Sequence, residues 1–293
     1  MKDYVIRAST KNIPLRIFAA TTQNTVEKAR KIHHLTPLTS AALGRVLTAT
    51  AMMGQMLKNV EDKLTLQLKG EGPILNLLAT GNGKGEVKGY IGNPNVDLPL
   101  NENGKLAVGK AIGEGTLTVI MDLGLKEPYI GRVSLVNGEI AEDLAHYFAV
   151  SEQVPSAVAL GVLVGKDQAI QSSGGFIIQV MPNCPENVIE VLEKRLSNLL
   201  PMTQLLAEGN SPEDILLNIL SDFEVEFLEK KEVAYVCNCS KERLGKALIT
   251  LGKEELTDII DQDGQAELQC HFCNKKYYFS KQELKKLLED AKQ

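Results

Sequence analysis

The chain has 293 residues, of which 44% are hydrophobic and 24% charged; it carries a formal charge of −5, no Trp and five Cys. That balance excludes a globally disordered chain, and the length suits two domains, or one with an appendage. No apolar run reaches the ~18 residues of a membrane span and the opening MKDYVIRAST lacks a signal-like apolar core, so a cytoplasmic protein with reduced thiols and no membrane partner is expected.

Residues 1–180 read as an N-terminal α+β domain with a mixed, mostly antiparallel sheet. Leu64, Leu66 and Leu68 alternate with polar residues, the period of a half-buried strand. Similar runs lie at 4–8, 15–19, 85–91, 116–121, 129–136 and 176–181, and the spacers KGEGP, TGNGKG, GNPN and NENG are turn-rich. A helix is expected after Asn24, which is followed by Glu27 in the spacing of a capping box. Another spans 39–58, where Ala41, Gly44 and Gly54 allow close approach to a sheet, and a third spans 138–153. Strands come in runs rather than in regular alternation with helices, which is α+β rather than α/β.

No catalytic constellation accompanies these elements, and no enzyme activity is expected. GNGKG has no Ser or Thr after its Lys and reads as a hairpin turn, not a phosphate cradle. Neither G-x-S-x-G nor H-E-x-x-H occurs. His33 and His34 end a predicted helix and His146 lies within another, so packing or surface roles are preferred for them.

Residues 181–231 read as an acidic helical linker. The stretch 179–231 holds 4 Lys+Arg against 10 Asp+Glu, net −6, whereas 1–178 are net +2 and 232–293 net −1. Val188, Val191, Leu192, Leu196 and Leu199 have helical spacing, Pro201 interrupts them, and Ser211-Pro212-Glu213-Asp214 is a strong helix start. Such short helices are marginal alone in water, so their apolar faces need a docking surface. Two readings follow: an ordinary solvated linker, which composition favours, and a conditionally folded segment that exposes apolar surface on release.

Residues 232–293 carry the strongest signal. Cys237-Asn238-Cys239 and Cys270-His271-Phe272-Cys273 form C-x-C, thirty intervening residues, then C-x-x-C. Two close thiol pairs under reducing conditions match a structural tetrathiolate zinc site with Cys237, Cys239, Cys270 and Cys273 as ligands to one ion. A sixty-residue segment with few large hydrophobes has a marginal core, so metal binding becomes folding energy. Ser240 is placed to cap a helix at 241–251, a second helix spans 254–261, and Ser280 with Glu283 forms a capping box. Lys275 to Phe279 interleave basic and aromatic residues, which keeps a zinc-ribbon nucleic-acid-binding module as the alternative, although the segment is near neutral. A C-x-x-C oxidoreductase is disfavoured because Cys270 and Cys273 fall in a late hairpin. Paired thiolates are oxidisable, so the site is also capable of acting as a redox sensor. Cys184 is isolated and reads as a spectator thiol.

The flanked motifs CNCSKERL and GQAELQCHFCNKKYYF, with SAALGR, KGEVKGYIGNP, DLGLKEPYIGRVSLV, SEQVPS and GGFIIQVMP, occur in order along the whole chain. In these segments the sequence resembles the 33-kDa redox-regulated chaperone family, also called the 33-kDa chaperonin. The resemblance implies an ATP-independent holdase for unfolding client proteins, with no nucleic-acid partner. It implies that Cys237, Cys239, Cys270 and Cys273 hold one zinc when reduced. It further implies that oxidation pairs Cys237 with Cys239 and Cys270 with Cys273, releases zinc and frees the linker, and that the active form is a homodimer. The family's switch uses those four cysteines, which leaves Cys184 as an addition.

Overall fold

Period-two patterning in the first half of the chain is realised as two sheets. The computed structural model describes residues 2–290, which divide into two units between Val236 and Cys237.

In the first unit, β1 (Tyr4–Thr10) and β2 (Leu15–Thr21) lead into α1 (Gln23–His33) and α2 (Pro37–Gly54). There follow β3 (Lys63–Gly70), β4 (Asn76–Asn82), β5 (Glu86–Ile91), α3 (Val108–Ile112), β6 (Gly115–Asp122), β7 (Tyr129–Ser134) and α4 (Ala141–Val150). Next come β8 (Ser156–Val164), β9 (Ile170–Val180), α5 (Glu186–Ser197), α6 (Met202–Ala207), α7 (Pro212–Ile219), β10 (Val225–Glu232) and β11 (Ala234–Tyr235). One sheet takes the order β10-β1-β2-β9-β8, wholly antiparallel. The other takes the order β11-β5-β4-β3-β6-β7 and is antiparallel except where β11 joins β5. The α+β class read from the sequence is the observed class.

Helix α2 is buried on all sides, which explains an Ala-, Leu- and Met-rich sequence without an amphipathic stripe. Gly44 has to be Gly: a Cβ there would lie 2.7 Å from Val26 Cγ1 and 2.8 Å from Val162 Cγ2. The main core gathers Leu43, Leu47 and Met52 of α2 with Phe18, Leu66, Leu117 and Tyr147.

The five-stranded sheet is buried on both faces. Val5, Phe18, Ala20 and Ile177 face the α2 core. Tyr4, Ile6, Leu15, Ile17, Phe176 and Ile178 face a second core, completed by Val188 and Leu192 of α5, Met202 and Leu205 of α6, and Ile215, Leu216 and Ile219 of α7. The acidic segment thus docks its apolar stripe on the sheet. Ser211 and Asp214 form the capping box at the start of α7. Glu213 accepts from the Tyr4 hydroxyl at 2.5 Å and from Lys230 Nζ at 3.0 Å. Arg195 donates to the Ile219 carbonyl at 2.8 Å and pairs with Asp222, stapling α5 to the end of α7.

The expected helices of 181–231 are α5, α6 and α7, but from Val225 the segment is strand β10, paired with β1. Its sequence VEFLEKKE hides the strand because an exposed edge tolerates charges that a buried strand does not. Residues 234 and 235 pair with Glu86 and Val87, so the chain up to Val236 belongs to the first unit. The capping-box reading at Asn24 is replaced by a cap from a distant residue. The N-cap position of α1 is Thr22, and the Asp3 carboxylate accepts the N–H groups of Asn24 at 3.1 Å and Thr25 at 2.6 Å.

Two side chains here give stability predictions. The fully buried Asp143 carboxylate accepts N–H groups from Val136 (2.7 Å), Asn137 (3.2 Å), Gly138 (3.3 Å) and Ile140 (2.8 Å). Asp143→Ala orphans these donors and should cost about 3 kcal/mol, a drop of roughly 6–12 °C in the Tm of the first unit by calorimetry.

Glu27 accepts from Arg30 at 2.7 and 2.9 Å and from the Ile170 N–H at 3.0 Å, tying α1 to β9. The Arg30 guanidinium holds its pKa at about 2 against an ordinary 4.5, although burial opposes the shift. A depressed carboxylate contributes its stability above the unfolded pKa and loses it as pH falls through the folded one. Between pH 4.5 and 2 the wild type should therefore lose about 2 kcal/mol more than Glu27→Gln, read from urea midpoints at each pH.

The second unit holds α8 (Lys241–Ile249), α9 (Lys253–Gln262), β12 (Gln265–Gln269), β13 (Lys276–Ser280) and α10 (Lys281–Asp290). β12 and β13 pair antiparallel from Gln265↔Ser280 to Gln269↔Lys276. Ser280 and Glu283 form the expected capping box. The apolar core is small: Leu248, Leu256, Ile260, Tyr277, Phe279 and Leu284 are its buried side chains apart from Cys270.

Candidate metal centre

Local hydrogen bonds place each cysteine of the second unit. Ser240 Oγ accepts the Arg243 N–H at 3.2 Å and starts α8, so the chain leaves Cys239 directly into a helix. Arg243 Nη1 donates back to the Asn238 carbonyl at 3.1 Å and fixes the residue between the first two thiols. The second pair sits in the tight turn of the β12–β13 hairpin. The Cys270 N–H donates to the Lys275 carbonyl at 3.0 Å, and the Cys270 carbonyl accepts from Cys273 at 3.3 Å and Asn274 at 2.8 Å. Asn274, at φ 58°, takes the left-handed conformation that closes the turn.

The four sulfurs converge, with all Sγ atoms of Cys237, Cys239, Cys270 and Cys273 within 4.8 Å of one another. Cys237 lies 3.7 Å from Cys270, and Cys239 lies 3.3 Å from Cys273. All four are free thiols, Cys270 buried and the others half-buried. The arrangement can hold a metal ion. These two close approaches cross between the motifs, so the four sulfurs form one cluster rather than two separate thiol pairs.

The electrostatics show why such a cluster wants a cation. Burial and the neighbouring sulfurs push Cys273 up to about 12, and burial leads the rise at Cys237. At Cys239 burial opposes ionisation, but hydrogen bonds from the Tyr277 hydroxyl and the other thiols outweigh it and bring the pKa down to about 7. Four sulfurs this close cannot all be thiolates unless a positive charge sits among them.

Tyr277 is the residue that sequence reasoning missed in this role. Its hydroxyl lies 3.1 Å from both Cys239 Sγ and the Cys239 carbonyl oxygen, so its single proton is shared between the two acceptors. Alternation in KYYFS carried the signal: Tyr277 and Phe279 share the buried face while Tyr278 is exposed. Cys184 belongs to the first unit, half-buried at the apolar margin of the second core, where burial pushes its thiol pKa up. His33 is buried, with Nε2 3.2 Å from the Tyr235 hydroxyl, and the GNGKG stretch is the turn between β4 and β5. Among the described residues, no helix is long and apolar enough to cross a membrane.

A profile of the Hsp33 protein family matches residues 3–280. The chain belongs to the Hsp33 family. The 33 kDa chaperonin of Thermoanaerobacter sp. (strain X514) is 52% identical over 294 residues, covering 100% of both chains. That of Clostridioides difficile is 52% identical over 291 residues, covering 99% of this chain and 100% of the relative. The crystal structure of the Thermotoga maritima 33 kDa chaperonin, a heat shock protein 33 homolog, superposes with a TM-score of 0.89 at 40% identity over 98% of each chain. An Hsp33-family chain is a chaperone by family, and its fold is shared with a solved member over nearly its whole length.

Proposed function

We propose that this Hsp33-family protein is an ATP-independent holdase, kept inactive by a zinc-bound tetrathiolate and activated by oxidation. The observation that carries the reading is the convergence of four thiols in a unit with so small an apolar core. The sulfur spacing supports zinc: thiolate bonds of about 2.3 Å in a tetrahedron place sulfurs ~3.8 Å apart, and the four sulfurs lie within 4.8 Å of one another, with two pairs at 3.3 and 3.7 Å. Bound there, zinc supplies charge neutralisation and folding energy, not catalysis.

The remaining steps belong to the chain. Oxidation joins Cys237 to Cys239 and Cys270 to Cys273, each pair giving up two electrons. One peroxide per pair accepts those electrons with two protons and leaves as two waters. All four ligand positions are then consumed, and the small unit loses what holds it together. β10 runs through β11 directly into Cys237, so the acidic segment is joined in sequence to the unit that oxidation unfolds, and the switch acts by freeing the helices that precede β10. Release of α5, α6 and α7 bares the apolar face around Tyr4, Ile6, Leu15, Ile17, Phe176 and Ile178, on which unfolding clients bind. The proposed divisions are the sheet domain of 1–180, to whose sheets β10 and β11 are added, a linker of 181–231 whose releasable part is α5 to α7, and a redox unit beyond it; the protein is cytoplasmic, inactive while reduced, and a homodimer once oxidation has activated it.

The test is aggregation of a heat-unfolding protein, followed by light scattering without ATP. Peroxide-treated protein should suppress scattering at near-stoichiometric ratios, and the reduced zinc form should not. Equal suppression by both forms would sink the switch. Salt-sensitive binding of RNA or DNA by the reduced form would instead favour the zinc-ribbon alternative.

A further inference from the structure

The two outer edges of the five-stranded sheet are built differently. The β10 edge carries Glu226, Glu229, Lys230, Lys231 and Glu232, charges of the kind that discourage strand addition. The β8 edge, SAVALGVLV, has no charge and no Pro over nine residues.

Register fixes which of its backbone groups are free. The Val180 N–H donates to the Pro155 carbonyl at 2.9 Å, and the ladder continues in phase from Ser156↔Gln179 to Leu163↔Ser172. Antiparallel pairs alternate between bonded and non-bonded. Ala157, Ala159, Gly161 and Leu163 therefore bond to β9, while Ser156, Val158, Leu160 and Val162 aim their N–H and C=O groups away from it. Among the described residues these outward groups have no hydrogen-bond partner.

The faces of β8 are already used. Val158, Leu160 and Val162 pack on the α2 core, and Ala157 and Ala159 on the core beneath the acidic segment. What stays open is the edge itself, which borders a groove of about 730 Å³. Leu100 and Leu106 line one part of it and Pro201 to Thr203 of the α6 start another. Helix α6 sits so close that a Cβ on Gly161 would lie 2.9 Å from the Thr203 N atom. Release of α6 with the acidic segment would widen the groove.

We infer that the β8 edge captures an extended segment of an unfolding client by β-strand addition. Its four outward N–H and C=O pairs match any extended backbone whatever its side chains, which suits a protein that must bind many unfolded sequences. Walls on both flanks of the edge favour one bare strand over the edge of a second folded copy. The inference rests on the holdase reading and adds to it a site with backbone rather than side-chain recognition.

The test is amide hydrogen exchange on the full oxidised chain, with and without carboxymethylated α-lactalbumin as a permanently unfolded probe. Exchange at Val158, Leu160 and Val162 should slow at least tenfold in the complex. Leu160→Pro removes an outward N–H without removing a ladder bond, so it should release zinc on oxidation as the wild type does yet bind the probe at least tenfold more weakly. If that variant does not fold, the wild-type exchange measurement decides alone. Unchanged exchange at these amides in a complex that does form would overturn the inference and leave the holdase reading standing. Slowing that appears without probe and grows with protein concentration would also overturn it, by assigning the edge to a second copy. Failure of oxidised wild type to bind the probe at all would reject both.

Discussion

Cys239→Ser should leave the second unit without metal and without a stable fold. Its buried side chains besides Cys270 are Leu248, Leu256, Ile260, Tyr277, Phe279 and Leu284, a core too small to offset the ordering of some fifty residues. A structural zinc contributes roughly 10–16 kcal/mol of apparent folding energy, so losing one of four ligands removes the main stabilising term. Cys239 is the informative position because the Tyr277 hydroxyl shares its one proton between the Cys239 sulfur and carbonyl, and replacement disturbs ligand and support together. Zinc should fall from about one equivalent to under ~0.1, and trypsin should cut between residues 237 and 290 at once. Cys184→Ser, in the first unit, should change neither readout. Full zinc occupancy in Cys239→Ser would refute the four-thiolate assignment.

The second large effect is expected at the docked segment. Leu216 of α7 is fully buried against the sheet. Leu216→Asp places a carboxylate without a partner in that apolar seat, at a cost of about 4 kcal/mol, enough to detach short helices that are marginal alone. The reduced, zinc-loaded variant should then suppress client aggregation without oxidant, and proteases should cut within residues 186–220. A variant that is cut there yet stays inactive would show that the bared face does not bind clients. Retained zinc separates this outcome from general unfolding.

The parts of this architecture legible from sequence were those set by local rules. Alternation at Leu64, Leu66 and Leu68 gave β3, and Ser211-Pro212-Glu213-Asp214 gave the start of α7. The cysteine spacing gave the cluster, because two short motifs each confine two ligands and one hairpin brings them together. What stayed hidden depends on partners far along the chain. The Asp3 cap on α1 joins residues twenty-one and more positions apart, and no local pattern announces it. Strand β10 is concealed by its charges and becomes a strand only because β1 offers an edge. The apolar run of β8, too short for a membrane span, is the outer strand of a sheet covered on both faces. Tyr277 reads as a packing residue until the hairpin brings its hydroxyl to Cys239.

The most direct test of the redox switch is one titration. Peroxide is added stepwise to the reduced, zinc-loaded protein, and released zinc, free thiols and suppression of client aggregation are read from the same samples. The account predicts that one equivalent of zinc leaves as four thiols disappear, and that suppression rises in step with zinc release. Full suppression while zinc stays bound, or complete zinc release with no suppression, would contradict it.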